Sequence, residues 1–323
     1  MRGRQTLLSR GGKRLLTPQR RAITRKFRQT PLIMPHGDWQ PTQLLRFVEA
    51  RSTGASVVRV KTDRGDAFLK ALGNASGPHA LAREWVGTQL ADLYGLPTFH
   101  FALYTIKIDD IPLLLANGRY AESGPAFLAK YEVGQVWGPG SKSGNEQGRT
   151  GVDDTLKELV NPEMIPRLAV FDTWVRNRDR HPPVGSARKP NWDNVYLSAE
   201  GVPGGKFRLI AMDHSHVFSD SQDLSPQLAN IDAWKDDAIY GVFPEFRPFI
   251  EGNSAQVRQC LDSLRALPHA DIRRIVYSIP SEWQVDRATQ AALLHFLCNR
   301  ARYVSDTRFA GFCPQSELLL NNP

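Results

Sequence analysis

The chain has 323 residues, of which 41% are hydrophobic and 23% are charged, and its formal net charge is +8. This composition excludes fibrous, collagen-like and disordered proteins, and no apolar stretch reaches the roughly 18 residues that would predict a membrane span. Three widely spaced cysteines (Cys260, Cys298 and Cys313) form no paired motif. They therefore indicate neither a disulfide framework nor a zinc knuckle, and they favour a reducing, cytoplasmic location.

The positive charge is concentrated at the N-terminus. Residues 1–33 contain ten Arg or Lys and no acidic residue, so the remaining residues carry 31 basic and 33 acidic side chains. This segment predicts a basic, flexible tail. Three interpretations stay open for it: an organelle transit peptide, an arm that binds an anionic partner such as nucleic acid, or a solvated extension.

Residues 34–135 predict a small β-rich lobe with one main helix. A β-branched run at 57–60, a turn at 63–66 and an extended run at 67–72 indicate a hairpin. A helix is expected next, because Pro78 suits a first helical turn and Gly95 suits the position after a helix end. Two more extended segments are predicted, at residues 99–106 and 111–116.

The second half of the chain predicts a mainly helical lobe. Residues 136–155 are expected to link the two lobes, because this region is rich in Gly, Ser and Asn. Residues 156–323 then form the helical lobe, with apolar residues at helical spacing around 164–175, 257–267 and 286–304. Between these helices one β hairpin is predicted, with strands at 195–197 and 207–212.

Polar side chains converge at one end of that hairpin. Asn194 directly precedes the first strand and Asp213 follows the second, so antiparallel pairing brings them to the same end. Asp179 lies in the loop 177–181 that leads towards this end. Two carboxylates and a carboxamide supply hard oxygen ligands for Mg²⁺ and leave one acid to orient an attacking hydroxyl.

The first lobe adds a lysine and a glutamate. Lys70 lies in a predicted strand and Glu84 in the helix that follows it. A strand lysine held by a helix glutamate presents a fixed ammonium to the α and β phosphates of ATP. Each residue alone is more often a surface side chain, and it is their order relative to the polar group at the hairpin end that favours a functional role.

Several segments resemble the HipA-like kinase family, whose pattern is N-x-D-R-H, then an Asn, then a strand that ends in I-D-H. The corresponding segments here are 171–181 (FDTWVRNRDRH) and 209–218 (LIAMDHSHVF). The lysine strand, glutamate helix and following turn of the family are similar to 68–74 (FLKALGN), 82–86 (AREWV) and 95–97 (GLP). The resemblance implies an α+β, bilobal protein-kinase-like fold that holds Mg²⁺ and ATP between its lobes.

The matched motifs also imply roles for single residues. Lys70 would contact the phosphates of ATP, Glu84 would pair with Lys70, and Asp179 would be the catalytic acid or base. Asn194 and Asp213 would bind Mg²⁺.

Three further residues are implied as nucleotide contacts. Gly54 is the nearest candidate for a turn that covers the phosphates. Glu132 and Val133 precede the glycine-rich linker, and they are candidates for a hinge that meets adenine.

The chain departs from the family pattern in two ways. Residues 182–193 separate the D-R-H motif from Asn194, where the family has only a couple of residues, so Asn191 competes as the metal ligand. Asn194 is preferred because it directly precedes the apolar strand, as the motif requires. The chain is also too short for the large extra N-terminal domain of the toxin HipA, so toxin activity is not implied.

The sequence therefore predicts an ATP- and Mg²⁺-dependent kinase that phosphorylates a Ser or Thr hydroxyl of a protein. The alternatives are a kinase-like enzyme with a small-molecule or lipid acceptor, and a non-catalytic, nucleotide-binding pseudokinase. A third alternative is a metal-dependent hydrolase that uses Asp213, His214 and His216, since alternate residues on a strand share a face. For His181 and His214 a structural role in holding the catalytic loop is preferred.

Overall fold

The computed structural model of the chain describes residues 39–50, 57–107, 110, 112–138, 151–183 and 186–314, apart from the side chains of 151–153. All of these residues fall in one of the two units into which the chain divides, residues 35–323. The basic tail predicted for residues 1–33 and the candidate phosphate-covering Gly54 lie outside the described residues.

A five-stranded antiparallel sheet forms the first part of the fold. Its strands are β1 Leu44–Ala50, β2 Val58–Thr62, β3 Gly65–Lys70, β4 Phe101–Ile106 and β5 Gly124–Lys130. They lie in the order β1-β2-β3-β5-β4. The predicted hairpin is present, and Gly65 follows its two-residue turn with φ 99°, a backbone angle that glycine adopts without strain.

Apolar side chains cover one face of this sheet. Alternate residues of β2 and β3 point to this face, which is why their buried positions recur with a period of two. Trp39 and the segment around Leu113 pack over it. The cluster fixes the register of β3, and with it the position of Lys70 at the end of that strand.

The predicted helix, α1 Pro78–Leu93, packs with β5 and with the C-terminal helices. Pro78 occupies its first turn, and Gly95 follows its end with φ 78°. Twelve of its sixteen residues are buried, including the polar Arg83 and Glu84. The helix is enclosed on more than one side. The apolar stripe in its sequence therefore predicts only some of its buried residues.

A second, three-stranded antiparallel sheet carries the predicted hairpin. Its strands are β6 Gly134–Val136, β7 Val195–Ser198 and β8 Arg208–Ala211, in that order. A Cβ atom at Gly134 would lie 2.2 Å from the carbonyl oxygen of Leu197. Glycine is needed at this position because two backbones approach closely, which is one of the uses of glycine in strands.

The remaining elements are helical. Helix α3 (Met164–Val175) is buried from Ile165 to Val175 apart from Arg167. Its Trp174 donates from Nε1 to the carbonyl oxygen of Leu297, 2.9 Å away, in α8 (Arg287–Thr307). Asp286 caps α8 by accepting the N–H of Thr289 at 2.7 Å. The bounds are α2 Gly151–Lys157, α3 Met164–Val175, α4 Ile231–Trp234, α5 Arg247–Glu251, α6 Ser254–Arg265, α7 His269–Val276, α8 Arg287–Thr307 and α9 Phe309–Phe312.

The α+β class predicted from the sequence is confirmed, with a β-rich first part that contains one main helix and a mainly helical second part that contains the hairpin. The extended segment predicted at 111–116 is wrong for the residues described there, which form only an isolated bridge between Leu114 and Tyr120. In the region predicted as a linker, Val136 ends β6 and Gly151 begins α2, while 139–150 lie outside the described residues. No described helix is long and apolar enough to cross a membrane.

Candidate active site

Lys70 stands at the centre of a buried chain of charges. It ends β3 opposite Phe127 of β5, and its side chain is buried. Its Nζ donates to Oε2 of Glu84 at 2.7 Å and to Oδ1 of Asp213 at 3.0 Å. Burial alone would lower the pKa of Lys70, but the carboxylates of Asp213 and Glu84 raise it above its ordinary value. The ammonium therefore stays charged at neutral pH.

Asp213 follows the end of β8 and has a left-handed backbone with φ 54°, a conformation that Asp adopts more readily than most residues. Burial alone would raise its pKa, but the charge of Lys70 and the hydroxyl of Ser215 lower it below its usual range. The carboxylate is therefore ionised. Its Oδ1 accepts from Lys70 and Ser215, whereas its Oδ2 forms no hydrogen bond with a described residue.

The next residue, His214, connects this site to α1. Its backbone N–H donates to Oε2 of Glu84 at 3.0 Å, and its Nδ1 lies 3.1 Å from the hydroxyl of Thr88. Burial, and then the charge of Arg180, hold the pKa of His214 well below its ordinary value, so the imidazole is neutral. A Cβ on Gly87 would lie only 2.5 Å from Cβ of His214. The helix can approach this residue because it has glycine there.

Asp179 lies in the loop that follows α3. The loop is shaped by Asn177, whose Oδ1 accepts the backbone N–H of Asp179 at 3.2 Å, a local bond typical of Asn in turns. Oδ2 of Asp179 accepts from Nδ2 of Asn194 at 2.6 Å and from Nδ2 of Asn191 at 3.4 Å. Nδ1 of His216 is 3.8 Å from the same oxygen.

Asn194 and Asp213 lie at the same end of the β7–β8 hairpin, because the last paired residues of that ladder are Val195 and Ala211. Asn194 is buried, and its Oδ1 forms no hydrogen bond with a described residue. Asn191 is also near, since its backbone carbonyl accepts the N–H of Asn194 at 3.4 Å. Both asparagines therefore contact Asp179, and the structure gives Asn194 the shorter contact.

The free oxygens of Asn194 and Asp213 fit a magnesium ion. Both are hard donors without a partner among the described residues, and Mg²⁺ is usually held by one or two carboxylates together with waters and substrate phosphates. The described part of the chain contains no cluster of three or more His, Cys, Asp or Glu arranged as a metal site. A kinase-type Mg²⁺ site does not need such a cluster.

Glu132 and Val133 lie between β5 and β6. The carboxylate of Glu132 accepts from Ser198 at 2.6 Å and from Arg208 at 3.0 Å, and its carbonyl oxygen accepts from the hydroxyl of Tyr196 at 2.8 Å. The side chain of Glu132 thus ties this segment to the second sheet. The backbone N–H groups of Glu132 and Val133 donate to no described residue.

The geometric basis of the hydrolase alternative is wrong. Strand β8 ends at Ala211, so His214 and His216 do not lie on a strand. His214 is buried against Thr88 of α1, whereas the side chain of His216 is 42% exposed beside Asp179. The two imidazoles therefore do not share a face.

Sequence reasoning missed three features of the site. Nothing in the pattern indicated that Arg180 is fully buried, because a charged residue in a polar loop is ordinarily exposed. The bonds from Glu132 to Ser198 and Arg208 were missed because they join residues 66 and 76 positions apart, and no sequence pattern indicates such contacts. Gly87 offered a usable signal, since a glycine inside a helical pattern often marks a close packing contact.

The chain was compared with known families and structures. A family model described as HipA-like kinase matches residues 61–305, which is most of the chain. The chain belongs to the HipA-like kinase family. The resemblance predicted from the sequence motifs is thus confirmed, and the protein is a kinase-like phosphotransferase. All five proposed catalytic and metal-binding residues of this HipA-like kinase lie within the matched region.

Solved structures give weaker likenesses to this HipA-like kinase. The Helicobacter pylori proinflammatory kinase CtkA is 13% identical, with 88% of this chain and 100% of that chain covered and a TM-score of 0.48. A golgi casein kinase is 8% identical, with 83% and 74% covered and a TM-score of 0.38. HipA from a Shewanella oneidensis MR-1 complex with HipB and operator DNA is 13% identical, with 88% and 70% covered and a TM-score of 0.32. No curated protein matches the chain.

Proposed function

We propose that this HipA-like kinase transfers the γ-phosphate of ATP, in the presence of Mg²⁺, to a Ser or Thr hydroxyl of a protein. One observation carries the proposal. A buried ammonium on Lys70 is held between Glu84 of α1 and Asp213 at the hairpin end, and the same end carries the paired Asp179 and Asn194. Groups from both lobes therefore converge on one site, as phosphoryl transfer requires.

Each side chain has a distinct part in the proposed reaction. The ammonium of Lys70, fixed by Glu84, binds the α and β phosphates. Asn194 and Asp213 would hold Mg²⁺, which when bound neutralises charge on the phosphate oxygens. These groups position the nucleotide and do not themselves form or break bonds.

Asp179 is the group that meets the acceptor. Its partly exposed carboxylate is oriented by Asn194, whose Nδ2 holds Oδ2 at the end of the hairpin. It accepts the hydrogen bond, and then the proton, of the acceptor hydroxyl while that oxygen bonds to the γ-phosphorus and the bond to ADP breaks.

The experiment is transfer of label from γ-labelled ATP by the purified full chain. We expect label in Ser or Thr of a protein acceptor, with transfer abolished when EDTA removes divalent cations. Generic basic and acidic proteins, glycerolipids and sugars are supplied in parallel. Label found only in a lipid or sugar would show that the acceptor is not a protein, while still supporting kinase activity. Binding of ATP without any transfer would identify a pseudokinase.

A further inference from the structure

The most completely bonded side chain near the site belongs to Arg180, the residue after Asp179. It is fully buried. Its Nε donates to the carbonyl oxygen of Asn194 at 3.0 Å and its Nη2 to the carbonyl oxygen of Met212 at 2.7 Å. Its Nη1 donates to Oδ1 of Asp172 in α3. A buried guanidinium is costly unless it is paired and hydrogen-bonded, and here one guanidinium is bonded on three sides.

The partners of Arg180 are the chain segments that carry the proposed reaction. The ladder of the β7–β8 hairpin ends at Val195 and Ala211. The next residue beyond this pair is Asn194 on one side and Met212 on the other, and the carbonyl oxygens of both accept a hydrogen bond from the guanidinium. Arg180 thus bridges the two strands one residue beyond their last backbone pair, immediately before the chain reaches Asp213.

Asp172 holds the guanidinium of Arg180 against α3. It is fully buried, and the oxygen that Arg180 contacts also accepts Nδ2 of Asn177 at 3.1 Å. A Cβ on Gly241 would lie 2.3 Å from its other oxygen, Oδ2. The carboxylate is therefore enclosed, and it fixes Arg180 relative to the loop of Asp179.

We propose that Arg180 is a positioning residue that sets the distance between the acceptor-activating Asp179 and the metal-binding pair Asn194 and Asp213. The proposal rests on the proposed function, because it assigns to Arg180 the geometry of that reaction. A planar guanidinium fork holds its acceptors in fixed directions, and a lysine cannot reproduce three such bonds. Loss of the fork separates the three segments without removing any group that touches nucleotide.

The test variant is Arg180→Lys, with Arg300→Lys as its matched control. Arg300 is also fully buried and donates to three carbonyl oxygens, those of Thr173 at 2.9 Å, Trp234 at 3.1 Å and Asp236 at 3.0 Å. None of these acceptors belongs to the proposed site. Both variants therefore lose a buried guanidinium, but only one of them touches the hairpin end.

The experiment measures three quantities on the full chain: the melting temperature, the Mg²⁺ concentration that gives half-maximal phosphate transfer, and the affinity for Mn²⁺ in the presence of a non-hydrolysable ATP analogue. Residues that orient metal ligands typically change metal affinity or activity by about 10–100-fold. We expect Arg180→Lys to raise the Mg²⁺ concentration for half-maximal transfer, and to lower the affinity for Mn²⁺, by about that factor. Arg300→Lys should lower the melting temperature about as much as Arg180→Lys does, because it also loses the bonds of a buried guanidinium. It should change the Mg²⁺ concentration for half-maximal transfer and the affinity for Mn²⁺ by no more than about twofold, because its bonds lie away from the proposed site.

The proposal would be overturned if the two variants had the same Mg²⁺ concentration for half-maximal transfer and the same affinity for Mn²⁺. If Arg180→Lys does not fold, Asp172→Asn takes its place, because it removes the anchoring charge while retaining the size of the side chain, and the same shift is expected. A wild-type chain that binds Mn²⁺ with the analogue but transfers no phosphate would refute the proposed function alone, and the Mn²⁺ affinities would still decide the role of Arg180. A wild-type chain that binds no Mn²⁺ would refute both.

Discussion

Single residues in the site are held in defined charge states by their neighbours. The ammonium of Lys70 has a raised pKa because two carboxylates face it, and the carboxylate of Asp213 has a lowered pKa because Lys70 and Ser215 face it. The pairing of Lys70 with Glu84 could be predicted from the motif order. The bond from Lys70 to Asp213 joins residues 143 positions apart, and no sequence pattern indicates a contact over that separation.

The two asparagines near Asp179 provide the first prediction. Asn194→Ala should raise the Mg²⁺ concentration for half-maximal transfer by about tenfold or more, because it removes the proposed ligand oxygen and its 2.6 Å bond to Asp179. Asn191→Ala removes only a 3.4 Å contact and should change that concentration by no more than about threefold. Titration of transfer rate with Mg²⁺ checks both. A larger increase in that concentration for Asn191→Ala than for Asn194→Ala would identify Asn191 as the metal ligand.

At the scale of elements, helix α1 connects the two lobes through its polar residues. Glu84 faces Lys70, while Thr88 and the gap at Gly87 accommodate His214. The sequence predicted this helix well because Pro78 and Gly95 mark its ends. It missed β5 and β6, since neither strand alternates clearly and since Gly134 favours a loop when its close approach to Leu197 is not known.

Substitution of Gly87 tests this packing. In an exposed helix, Gly→Ala is stabilising by roughly 1 kcal/mol, but here the new Cβ would lie 2.5 Å from Cβ of His214. We expect Gly87→Ala to destabilise the fold by about 1–3 kcal/mol and to lower phosphate transfer, because α1 or His214 must move and Glu84 lies on the same helix. Thermal unfolding and the transfer assay measure the two effects.

Gly204→Ala is the control for that variant. Gly204 is exposed in the β7–β8 connection, and nothing lies within 4 Å of the position of its Cβ. It should therefore be close to neutral in stability and activity. The packing argument fails if Gly87→Ala matches Gly204→Ala in both measurements.

At the scale of the whole molecule, the proposed site depends on parts of the chain that are far apart in sequence. Lys70 and Glu84 come from the first half, whereas Asp179, Asn194 and Asp213 come from the second. Motif order predicted the kinase-like fold from these residues, because such a combination is far more specific than any one member. The sequence predicts the class of acceptor only through the family resemblance, and it does not identify the acceptor molecule, since the chain beyond residue 220 has no readable motif. The binding of nucleic acid by the basic tail stays a prediction.

The most direct test separates nucleotide binding from phosphate transfer in three proteins: the wild type, Asp179→Asn and Asp213→Asn. ATP with Mg²⁺ at about 100 times its dissociation constant stabilises a binding protein by about 2.7 kcal/mol, which corresponds to a rise of about 4 °C in melting temperature for a chain of this size. Asp179→Asn should keep this rise and lose transfer by about 10²–10⁴-fold, as expected for an acid–base group, while Asp213→Asn should lose both. Full transfer by Asp179→Asn, or an undiminished rise in Asp213→Asn, would contradict the proposed mechanism.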